Sequence, residues 1–303
     1  MKGYWTDLFS YVTGAIREGD LAYLVMISDE AAKKKMAASN IVQWEPEGWG
    51  NGGDTTWRTV GAAVARYPLE QLIVVGEFGN VLLLGNGDRH EEIIKTKDSD
   101  PANRGPLCGV RSIGNEVFVV GMNRQVYRRT GADAWESFDK GIDRATNTEE
   151  VFGFQAVDGF DENALYAVGW EGEIWCCTHG IWQQENSVVK NVLVDVCCAG
   201  NGFVYACGRN GILIRGKDGH WEVLLQPNFT EDIWSLTWFD NKLYAASLEN
   251  VFVLQDDNTL SAVDMGEDRA ATCYKLVTGA SLMWSIGEKD VICFDGASWT
   301  RID

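Results

Sequence analysis

LYAVGWEGEIWCCTHGIWQQ, residues 165–184, sets two runs of β-branched and aromatic residues, 165–168 and 173–177, around the turn Gly169-Trp170-Glu171-Gly172. A second turn, Thr178-His179-Gly180, leads to Trp182. Strand-formers broken every few residues by glycine turns predict consecutive antiparallel hairpins, with no room for a helix between them.

The same unit recurs along the chain. It starts at Leu72, Val117, Phe203, Leu243 and Leu282 as well, and the residues ending its first strand are Gly76, Gly121, Gly169, Gly208, Ser247 and Gly287. Those positions are 45, 48, 39, 39 and 40 residues apart. The tryptophan that opens the final strand keeps the same beat: Trp182 to Trp221 is 39 residues, and Trp57 to Trp135 and Trp221 to Trp299 are each 78. A short apolar run precedes every unit, at 62–66, 108–113, 152–157, 193–198, 233–238 and 273–277. Four antiparallel strands every 40 to 45 residues make the blade of a β-propeller.

The N-terminal region supplies a looser copy, with strands expected at 7–13, 21–27, 41–44 and 56–60 around an insertion at 29–40. The fold class is therefore all-β: one closed propeller of seven four-stranded blades, or six if the first copy is not a true blade. A single domain is expected over 1–303, with blades at about 4–60, 61–95, 107–139, 151–185, 191–225, 231–264 and 271–303. A last strand for the final blade is predicted at 299–302 and a first strand for the first blade at 7–13, so the ring should close by blade packing, without an N-terminal strand joining the last blade.

Bulk properties narrow the partners. The chain has 26 Lys plus Arg against 44 Asp plus Glu, a net charge of −18. Such a field repels a phosphate backbone, so no nucleic acid is expected; a basic protein partner would be steered in. No run reaches the length of a membrane span and the first twenty residues lack a signal-peptide core, so no membrane association is expected. The eight cysteines, Cys108, Cys176, Cys177, Cys197, Cys198, Cys207, Cys273 and Cys293, fall within or at the ends of predicted strands. There a cysteine acts as a small buried hydrophobe, and adjacent pairs point to opposite faces, which fits a reducing cytoplasm and a monomer.

Catalytic signatures are missing from the sequence. His90, His179 and His220 sit at turns of three different blades and show no metal-ligand spacing. No nucleophile elbow or phosphate loop occurs, and the glycines of 48–53 match a dinucleotide pattern without opening a helix. No cofactor, no metal and no catalytic residue is expected.

The turn-plus-tryptophan signature, Lys217-Asp218-Gly219-His220-Trp221 and Asp295-Gly296-Ala297-Ser298-Trp299, with looser copies at 131–135 and 178–182, resembles the propeller repeats grouped as WD40, YVTN and BNR-like. The resemblance covers nearly the whole chain and implies architecture. The Ser or Thr that opens a full sialidase Asp-box is missing, as are the sialidase arginine triad and the Gly-His and Trp-Asp pairs of eukaryotic WD40 repeats. A compact acidic propeller without catalytic residues looks like some immunity proteins that neutralise bacterial toxins, which implies a non-catalytic protein-binding role.

In a propeller, the interblade loops share a face with the turns between second and third strands. Phe78, Trp170 and Phe229 are expected there as aromatic anchors, among Asp98, Asp100, Asp143, Glu149, Glu150, Glu231, Asp232, Glu267 and Asp268. The alternative is a carbohydrate or small-molecule site in the central channel, with a glycoside-processing activity among its uses. Aligned inner strands place Arg111, Gln155, Thr237 and Lys275 along that channel.

Overall fold

The computed structural model describes residues 4–97, 100–143, 152–227, 229–267 and 269–303. Seven four-stranded antiparallel sheets follow one another in chain order, at 9–55, 59–93, 107–137, 154–185, 193–223, 235–262 and 275–301. Within each sheet the strands pair in sequence order, from the inner strand at the axis to the outer strand at the rim. Consecutive inner strands also pack against one another round the ring, including the first against the last.

Burial explains why middle strands are continuously apolar. The second strand of blade two, Gln71–Gly76, is buried on both faces because a neighbouring sheet covers each side, whereas the outer strand Asp88–Ile93 is almost wholly exposed. The apolar core is accordingly divided into seven clusters, one between each pair of adjacent blades. Blades therefore stabilise one another, and none has a core of its own.

Closure occurs as the sequence predicts. All four strands of blade seven, ending in Trp299–Arg301, come from the C-terminal region, and all four of blade one from the N-terminal region. The seam is a packed interface like the other six. Trp284 is fully buried there and meets the edges of Trp44 and Trp49 at 5.7 and 6.0 Å. Trp49 donates its indole N–H to the Ile302 carbonyl at 2.7 Å, Tyr11 N donates to the Glu288 carbonyl at 2.9 Å, and Lys289 Nζ reaches the Asp29 carboxylate at 2.6 Å.

Blade one corrects two expectations. Its outer strand is the glycine-rich Gly48–Thr55, not 56–60, which leads instead into the inner strand of blade two, Thr59–Ala65. Trp49, paired with Trp44, holds the outer-strand position assigned to Trp57. Trp57 lies under Gly76, where an added Cβ would fall 2.6 Å from its ring. An outer strand needs only one apolar contact surface, so Gly-Trp-Gly-Asn-Gly-Gly is tolerated where a central strand would lose its packing. The insertion holds a short helix, Asp29–Lys33, capped by Ser28.

Trp284→Ala, by emptying the seam, is expected to cost about 3–5 kcal/mol. Trp49→Phe, which removes the indole N–H but keeps an aromatic ring in its place, should cost at least about 1 kcal/mol. Urea unfolding followed by circular dichroism gives both numbers, and the midpoint should move without a change of slope.

Candidate functional site

Each end of the ring presents a different set of loops. Interblade segments and second-to-third-strand turns emerge on one face, the loop face; first-to-second and third-to-fourth turns emerge on the other, the hairpin face. Among the expected anchors, Phe78 stands free at its turn, 53 % exposed. Trp170 does not. Its turn closes as a 3-10 segment, Trp170–Gly172, in which Gly172 (φ +70) lies against the Val189 carbonyl, leaving the tryptophan half-buried. Phe229 is also half-buried, packed edge-on to Phe252 at 5.0 Å as part of the core between blades five and six.

The expected acids divide similarly. Asp143, Glu231 and Glu267 are exposed, whereas Asp100 and Asp232 are half-buried and accept the backbone N–H groups of Thr96 at 3.2 Å and Asn210 at 2.8 Å. Asp98, Glu149, Glu150 and Asp268 lie outside the described residues. Sequence reasoning missed other exposed apolar side chains of this face, among them Leu225, Trp234 and Leu248. It also missed the exposed acids Glu171, Glu249 and Glu288 at the inter-strand turns. Alternation carried a signal for Trp234: it lies between buried Ile233 and buried Ser235, one residue before the inner strand Ser235–Phe239.

The channel holds three of the four residues aligned along it. Arg111, Thr237 and Lys275 line a cavity of about 640 Å³ built from the later parts of the inner strands and the turns that follow. Gln155 is not among the lining residues; its amide donates to the Cys108 sulfur of blade three at 3.8 Å. Arg111 pairs with Asp158 of the next blade through Nε at 3.1 Å and Nη2 at 3.5 Å, and Asp158 also accepts the Cys198 N–H at 2.8 Å. The Asp158 carboxylate, against the opposing effect of burial, holds the guanidinium charged beyond its ordinary range. Asp195 of blade five accepts Ser235 Oγ at 2.9 Å and Leu236 N at 3.0 Å from blade six, with Lys275 Nζ 3.8 Å away.

Nucleophilic chemistry has little support from the thiols. All eight cysteines are unpaired, and burial pushes every one upward, Cys108 and Cys177 to about 11. The thiolate is the reactive form, so these sulfurs serve packing. His90, Glu92 and Asp133 offer ligand atoms within 4.8 Å of one another. Glu92, however, is committed: it accepts Arg129 Nε at 3.0 Å and Nη2 at 2.7 Å, the Asp133 N–H at 2.9 Å and the Trp135 indole at 2.8 Å. This cluster joins blade two to blade three.

A pH dependence follows from it. Burial raises the Glu92 carboxyl, but hydrogen bonds from Arg129, Asp133 and Trp135 outweigh that and hold it below the usual carboxylate range. Its contribution is thus complete above the unfolded value of about 4.3 and is lost as pH falls through the lower folded value. Glu92→Gln, which leaves buried Arg129 unpaired, should cost about 3–5 kcal/mol at neutral pH and flatten the acid limb of the stability profile. Denaturation midpoints measured from about pH 3 to 7 test both.

These features define a closed seven-bladed propeller with a loop face and a channel whose cavity opens on the hairpin face. No established family model matches the chain. Among solved structures, it is similar to virginiamycin B lyase from Staphylococcus aureus, with a TM-score of 0.67 at 13% identity over 95% of this chain and 94% of that one. It is also similar to the WD40 propeller domain of Doa1, with a TM-score of 0.66 at 10% identity over 97% and 92%. Likeness at such low identity establishes the fold alone. The sequence itself is 40% identical over 302 residues to immune protein Tsi7 of Pseudomonas aeruginosa, covering 98% of each chain. The chain belongs to the Tsi7 immune-protein family.

Proposed function

We propose that this chain is a non-catalytic immunity protein that neutralises a toxin by binding it. The observation that carries this reading is the 40% identity, across 98% of both chains, to a protein named for immunity. The buried thiols and the Glu92 cluster are taken up by packing and by the contact between blades, which leaves them no part in the reading. The loop face supports a site there, because rigid blades hold exposed Phe78, Trp234, Leu225 and Leu248 among exposed Glu171, Glu231 and Glu249. A net charge of −18 suits a basic toxin, and eight free thiols suit a reducing cytoplasm.

Producing the chain in cells that express the toxin from its own source should restore growth, and the purified pair should co-elute. Phe78→Ala and Trp234→Ala should each weaken the complex by about 2 kcal/mol through faster dissociation. Glu231→Lys with Glu249→Lys should slow association instead, an effect that fades as salt rises past about 0.15 M. Surface plasmon resonance separates the two rates. Protection that persists without a complex, with the toxin cleaved or modified in the mass spectrum, would replace binding by an enzymatic mechanism.

A further inference from the structure

The channel differs in charge from the rest of this acidic chain. Arg17, Arg66, Arg111 and Lys275 line it against Glu70 and Asp158, a surplus of cations in a molecule of net charge −18. Its carboxylates are spent on internal donors. Asp158 holds the Cys198 N–H and Arg111, and Asp195, behind Lys275, holds Ser235 and Leu236.

The cations keep donors to spare. Arg111 uses Nε and one N–H of Nη2 on Asp158, which leaves Nη1 and the second N–H of Nη2 without a partner among the described residues, on a side chain 33 % exposed. Lys275 is 34 % exposed, and at 3.8 Å from Asp195 it is beyond hydrogen-bonding distance. The two cations occupy neighbouring layers of the inner ring. Lys275 pairs with Ile286 at the level where Asp195 pairs with Cys207, and Arg111 pairs with Phe118 two residues further along its own strand than Gly109, which holds that level in blade three. Thr237 and Thr278 bring hydroxyls 3.4 Å apart, and Trp238 adds an aromatic wall.

Size and access also fit a ligand. A volume of about 640 Å³ falls within the range of small-molecule sites and far exceeds what one water needs. Exposed Arg66, Glu70, Gly200, Thr278 and Ala280 form the lip, so the cavity opens on the hairpin face, away from the loops assigned to the toxin. We propose that this half of the channel binds a small organic oxyanion of about sugar size, a carboxylate or phosphate monoester. The free edge of Arg111 grips the anion in fork geometry and Lys275 supplies the second charge. The site lies apart from the toxin reading and stands or falls without it.

Isothermal titration of the protein alone, with citrate and with inorganic phosphate at fixed ionic strength, tests the site. Citrate, phosphate or both should bind saturably with a dissociation constant below about 1 mM. Lys275→Gln and Thr237→Val leave the Arg111–Asp158 pair intact and should fold; the lysine change should weaken binding about tenfold and the threonine change less. Arg111→Gln should weaken it at least as much as Lys275→Gln. Arg89→Gln, the same charge change on the outer strand of blade two, should leave affinity unaltered. Unsaturable heats with both probes, or an equal loss in Arg89→Gln and Lys275→Gln, would overturn the proposal.

Discussion

An indole N–H that reaches back to the preceding blade recurs at four of the seven blade junctions among the described residues and ties those blades together. Trp135 of blade three donates to Glu92 of blade two at 2.8 Å, and Trp182 of blade four to the Phe138 carbonyl beyond blade three at 2.7 Å. Trp221 of blade five donates to Glu185 of blade four at 2.5 Å, and Trp49 of blade one to the Ile302 carbonyl beyond blade seven at 2.7 Å. The ring body fills space between two sheets while its single donor fixes the angle at which they meet. Because the seam uses this same contact, closure needs no exchanged strand. Where tryptophan is missing, other contacts serve: the outer strand of blade six, Leu260–Ala262, adds Leu260 to the core it shares with blade five.

This device also explains what the sequence could reveal. The 39-residue tryptophan beat is visible because each indole occupies an equivalent rim position, and a shift of one residue would turn it to the opposite face. It misled at Trp57, whose spacing is right but whose place beneath Gly76 belongs to another contact, while Trp49 was hidden among glycines that read as a loop. Composition identifies a strand poorly when only one of its faces meets the core.

The sites were less legible than the fold, for reasons that differ between residues. Gln155 falls at a bulge between Phe154 and Ala156, where register slips and its side chain leaves the channel; Arg111 and Thr237, clear of any bulge, lie where alignment puts them. For the aromatics, turn position reveals nothing about the direction in which a turn folds. Phe78 is exposed, Trp170 is half-buried within its 3-10 turn, and Phe229 enters the core it shares with Phe252 of blade six. Those are tertiary facts, carried by residues far apart in sequence.

Most of the deeply buried charge is spent on joining elements, which leaves both ends of the ring to vary. Arg129 with Glu92, Arg104 with Asp139 and Arg124 with Glu173 are close pairs between blades or the loops that join them, each with a carboxylate no more than 6% exposed. Each pair is neutral, so the net charge of −18 falls on the remaining side chains. Breaking one leaves an unpaired buried charge, whereas a charge at a loop tip has water as its alternative partner. Substitution is therefore restrained between the blades and lenient on the two faces. A fold built this way can vary the loops and turns at either end of the ring without disturbing the packing that holds them in position.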